Sequence, residues 1–121
     1  MVIHGREIKF RRTVLGNCEI AAICPKKDIN KFQDLLQSDY GTSQNAAAVF
    51  MAALSKGWEM HRHFEDPSYE MRPLTVEEAL LLDSDDFNEL FVEALAAFTN
   101  DGKPTVETEP PKGKNAEGDG E

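Results

Sequence analysis

The chain has 121 residues, 40% hydrophobic and 29% charged, with 22 acidic against 13 basic side chains and a net charge of −9. A chain of this length buries one modest core, so a second independent domain is not expected. Nucleic acid is an equally poor fit as partner, because gripping a phosphate backbone by counterion release needs clustered Lys and Arg.

The chain opens with Met1 to Phe10, which alternates polar and apolar residues and lacks the apolar centre of a signal peptide. Val2 and Ile3, then His4-Gly5, then Ile8 and Phe10 read as two short strands around a tight turn. Arg6, Lys9, Arg11 and Arg12 form the one dense basic stretch, interleaved with Ile8 and Phe10 as in a strand whose polar positions face water.

Thr13 supplies an N-cap for a helix with Val14, Leu15, Cys18, Ala21 and Ala22 on one side, stopped by Pro25. Gly16 weakens its first turn by roughly 1 kcal/mol relative to Ala. Cys18 and Cys24, read into this helix six residues apart, point to different faces and do not bridge each other; reduced, semi-buried thiols of a cytosolic protein are expected. Asp28 caps a second helix with Ile29, Phe32, Leu35 and Leu36 at helical spacing, ending at Gly41.

Thr42 or Ser43 begins a third helix through Asn45 to Leu54 and on toward Trp58, with Gly57 loosening its end. It is apolar nearly all round, so either it is central to the core or one face is kept for a partner. Phe50, Met51 and Leu54 are the candidate partner-binding residues. Its apolar run, Ala46 to Leu54, is about half the length that spans a bilayer, so no membrane anchoring is expected.

After the third helix comes His61 to Tyr69, where Pro67 and Pro73 bound a polar linker that Phe64 and Tyr69 anchor to the helices. Thr75 and Glu78 form a capping box for a short helix, Val76 to Leu82. Ser84 caps the last helix, whose stripe of Phe87, Leu90, Phe91, Ala94, Leu95 and Phe98 keeps helical spacing, with Asp85 and Asp86 at the end that the helix dipole favours for negative charge. Beyond Asn100-Asp-Gly102, the prolines, glycines and charges leave too little apolar surface to offset ordering entropy. The expected fold is therefore mainly α (α+β): residues 1–100 form an N-terminal β-hairpin and a compact bundle of about five helices, and residues 101–121 a disordered acidic tail.

Chemistry-bearing constellations are few. His61 and His63, near Glu59, Glu65 and Asp66, are the one cluster resembling metal ligands, but a helical metal pair needs a separation of three or four. A zinc hydrolase built on them would carry bound zinc when purified. Asp83, Asp85 and Asp86 resemble the start of a calcium loop, yet Asn88 stands where its glycine belongs and Ala94 where its glutamate belongs. There is no Gly-x-Ser-x-Gly elbow, phosphate loop or dinucleotide fingerprint. A non-enzymatic protein without cofactor or metal is expected.

The order of features carries a resemblance. Gly5-Arg-Glu-Ile-Lys-Phe10, Arg12-Thr-Val14, Glu19-Ile-Ala-Ala-Ile-Cys-Pro25, Lys56-Gly-Trp58, His63-Phe-Glu-Asp-Pro67, Leu74-Thr-Val-Glu-Glu78 and a final helix with a charged tail follow one another over nearly the whole chain. Together they resemble the tail assembly chaperones of long-tailed, siphovirus-type bacteriophages of Gram-positive bacteria. The resemblance implies a factor that binds the tape measure protein, keeps it soluble and helps recruit tail tube subunits. It further implies action in the host cytoplasm and absence from the mature virion. Family members are often also made in a longer, frameshifted form, and Pro110-Pro-Lys-Gly-Lys-Asn115 could be encoded by a slippery run. Self-association is compatible with several copies lying along one long partner. The alternative is a small acidic regulator or inhibitor that mimics DNA and occupies a basic protein surface.

Overall fold

A computed structural model describes residues 1–100. Two strands, β1 (Val2–Ile3) and β2 (Arg6–Glu7), pair antiparallel with Ile3 opposite Arg6. The intervening His4 and Gly5 both have positive φ, 50° and 78°, the backbone of a two-residue turn whose twist suits a hairpin. The strands are shorter than the alternation predicts. Ile8 and Phe10 lie beyond them, buried, in an extended segment that crosses the bundle.

Five helices follow among the described residues: α1 (Val14–Ala22), α2 (Phe32–Leu36), α3 (Tyr40–Glu65), α4 (Val76–Leu80) and α5 (Ser84–Thr99). The mainly helical fold with its N-terminal hairpin agrees with the sequence reading. The predicted tail, residues 101–121, lies outside the described residues.

The spine is α3, 26 residues and about 39 Å long at 1.5 Å per residue. Asp39, not Thr42 or Ser43, caps it, accepting from the Thr42 N–H at 3.1 Å. It runs through Gly57 and the predicted linker to Glu65. Gly57 is a point of close approach: an added Cβ would lie 2.5 Å from the Arg11 carbonyl oxygen. There the extended segment crosses α3, and the Arg11 N–H donates to the Leu54 carbonyl at 3.0 Å. On the other side, the Leu74 N–H donates to the buried Ser55 hydroxyl at 2.8 Å.

The other helices pack around this spine. Thr13 caps α1 as predicted, accepting from the Gly16 N–H at 2.9 Å. The helix buries Gly16 and Ile20, however, and Val14, Leu15 and Cys18 face outward. Gly16 lets α1 lie against the Ala53 carbonyl of α3, which rotates the predicted apolar side away from the core. Cys24 lies past the end of α1 and is buried, donating to the Ile20 carbonyl at 3.3 Å, and both thiols are free.

Asp28 caps the second predicted helix, accepting from the Asn30 N–H, but its first turn, Ile29–Lys31, is 3-10 and only Phe32–Leu36, with Phe32 buried, is α-helical as α2; a separate 3-10 turn at Pro25–Lys27 precedes it. The capping box of α4 forms, with the Glu78 N–H donating to Thr75 Oγ1 and the Thr75 N–H to Glu78 Oε1, both at 3.0 Å. Asp83 rather than Ser84 precedes α5. Its stripe packs inward, with Phe87, Leu90 and Ala94 buried and Phe91, Leu95 and Phe98 against the core.

Candidate functional site

Phe50, Met51 and Leu54 are each 0% exposed. The Phe50 ring sits among Phe32, Phe91 and Phe98 at centroid distances of 4.9, 5.6 and 5.1 Å. The assignment of these three to a partner face is corrected: the Ala46 to Leu54 stretch of α3 is apolar nearly all round because other helices pack around it, and burial of these side chains holds the bundle together.

His61 and His63 also change place, from a linker to the last turns of α3, where two-residue spacing turns them apart. His63 Nδ1 lies 3.0 Å from the Tyr69 carbonyl. Among the described residues, no group of three or more His, Cys, Asp or Glu is placed to hold a metal ion. Nor is any helix there long and apolar enough to cross a membrane. Phe64, a predicted anchor, is 71% exposed, because the helix continues through it and turns it to the surface. Tyr69 does anchor its segment.

Tyr69 belongs to a polar cleft of about 740 Å³ between the hairpin and the C-terminal half of α3. At its wall Glu59, almost fully buried, accepts from the Tyr69 hydroxyl at 2.9 Å through both carboxylate oxygens and from the Arg72 N–H at 2.8 Å. Burial, reinforced by the Glu59 hydrogen bond, raises the Tyr69 pKa. The Arg62 guanidinium lies 4.7 Å from the Tyr69 ring centre, and Lys9 Nζ lies 5.8 Å from that of Trp58. Arg6 makes a two-pronged pair with Glu78 at 3.1 and 3.4 Å, and chiefly this holds the Glu78 carboxyl at about 2, well below its ordinary 4.5. The Arg6 Nε is buried with no partner among the described residues. Cations and carboxylates are balanced here and largely satisfied by one another or by aromatic faces.

The second concavity, a groove of about 360 Å³, lies where the start of α3 meets the turn between α4 and α5. Tyr40, Leu80, Leu82 and Phe87 supply its apolar lining, with Gln44, Ser84 and Asn88. Tyr40 is 77% exposed and Leu81, between two lining residues, 82%. The corner is acidic throughout. Asp39 precedes Tyr40, Asp83 lies between Leu82 and Ser84, and Asp85 and Asp86 lie between Ser84 and Phe87. No Lys, Arg or His occurs in residues 32–55 or 73–100. Asp39 is held below the usual carboxylate range chiefly by the Thr42 N–H.

The chain matches no known family model, no curated protein and no solved structure. Its candidate site therefore rests on geometry and charge. The groove escapes the sequence reading although two signals mark it. Leu80, Leu81 and Leu82 are consecutive, so they cannot all face one core, and the long cation-free stretches that meet at this corner are visible in the sequence.

Proposed function

We propose that this chain is a non-enzymatic assembly chaperone for a long bacteriophage tail. It binds the tape measure protein in the host cytoplasm, keeps it soluble, helps bring tail tube subunits to it, and is not part of the mature virion. The observation that supports this reading is the set of exposed apolar side chains, Tyr40, Leu80 and Leu81, along a groove of mixed polar and apolar lining on an acidic corner of the bundle. A long helical partner exposes apolar stripes until it is enclosed, and a small protein can cover such a stripe with exposed apolar side chains such as these while its net charge of −9 keeps the complex dissolved. Several copies would lie along one partner.

Co-expression with the tape measure protein tests the reading. The partner should move from the insoluble to the soluble fraction and co-purify with the chain; a partner that stays insoluble overturns it. A second reading, an acidic inhibitor that mimics DNA, draws support from the exposed carboxylates of the same corner, whose local sequence holds no cation. Its complex with a basic protein would collapse with added salt whether or not the groove is intact, and DNA would compete for it.

A further inference from the structure

The acidic corner points to a particular kind of occupant. Asp83, Asp85 and Asp86 are exposed carboxylates on the same corner as the exposed apolar side chains of Tyr40, Leu80 and Leu81, and residues 73–100 supply no cation to neutralise them. A neutral apolar partner would strip water from these carboxylates without replacing it, which is unfavourable. A partner carrying Lys or Arg beside its apolar residues offsets that cost and is drawn in by the field of the corner. We propose that the groove beside Tyr40, Leu80 and Phe87 is the docking site for a short apolar segment of another protein, flanked by Lys or Arg. This rests on the reading of the chain as a protein-binding chaperone and names the chemistry of the segment it holds.

The test uses the full chain and two labelled synthetic amphipathic helices, identical in their Leu face, with Lys at the flanking positions of one and Glu in the other. Binding is read by fluorescence anisotropy at low and high salt. The Lys peptide should bind about tenfold or more tightly than the Glu peptide, a preference that shrinks with salt. Tyr40→Glu, at a largely exposed position, and the double variant Asp85→Lys/Asp86→Lys should each weaken Lys-peptide binding about tenfold. Unchanged circular dichroism would show that the variants fold.

Equal binding of the two peptides, no binding of either, or variants as tight as the wild type would overturn the proposal. Self-association that the same variants abolish would overturn it too, since the occupant would then be a second copy. Co-expression with the tape measure protein separates the two claims. If wild type and groove variants solubilise that protein alike, the groove assignment falls and the chaperone reading stands. If the wild type leaves it insoluble yet binds the Lys peptide through the groove, the chaperone reading falls and the groove stands.

Discussion

Glu59 and Asp85 are both carboxylates on helices, and they are treated in opposite ways. Glu59 is almost fully buried and receives hydrogen bonds from Tyr69 and Arg72, so its charge ties residues 69–72 to α3. Asp85 is exposed on a corner whose local sequence holds no cation. At the hairpin end, charge is consumed in building the structure. At the α4–α5 corner it is left available for solvent and for whatever docks there. Cleft volume alone would have ranked them the other way, since the larger concavity is the one whose polar groups are already engaged.

The sharpest way to break this contrast is Glu59→Ala. It leaves the Tyr69 hydroxyl and the Arg72 N–H without their acceptor and is expected to destabilise the fold by about 3 kcal/mol, measured by urea denaturation. A change below about 0.5 kcal/mol would mean that this end is no more structural than the surface.

Gly57→Ala comes next. Its Cβ would meet the Arg11 carbonyl oxygen at 2.5 Å, so the crossing segment must shift, at an expected net cost of about 1–3 kcal/mol despite the better helix propensity of Ala. If Gly57 merely loosened a helix end, the same substitution would stabilise.

Glu78→Gln probes the Arg6 pair. The folded-state pKa of Glu78 is depressed from 4.5 to about 2, so the stability it contributes is present above pH 4.5 and is lost as pH falls through about 2. Because the Glu78 side chain is 33% exposed, the pair is discounted for solvent, and Glu78→Gln should cost about 1 kcal/mol at neutral pH. The gap between wild type and variant in denaturation curves should close as pH falls through that window.

The smallest effect sharpens the comparison from the other side. Asp85→Asn/Asp86→Asn should change stability by only about 0.5 kcal/mol, the residue of their interaction with the α5 dipole, while lowering affinity for a Lys-flanked apolar peptide. A variant that loses stability rather than affinity would place these aspartates with Glu59.

Several elements are legible from local rules because their causes are local. The His4-Gly5 turn, the Thr13 cap, the Thr75 and Glu78 capping box and the stripe of α5 each depend on residues within a few positions of one another. Where the reading slips, a distant contact decides. Gly41 and Gly57 looked like breaks, yet α3 continues through both, capped by Asp39 and crossed closely at Gly57 by residues far away in sequence. Val14, Leu15 and Cys18 looked inward, but the close contact of Gly16 with α3 turned that face out.

The candidate site follows the same division. The sequence by itself determined the helical, acidic character of the chain, most of its caps and the segregation of its cations away from residues 32–55 and 73–100, because composition and short-range hydrogen bonding suffice for these. Only the tertiary structure decided that Phe50, Met51 and Leu54 are core, and that the two cation-free segments meet around Tyr40, Leu80 and Phe87. The physical reason is that burial and concavity belong to no single segment: they arise when the four other helices close around α3.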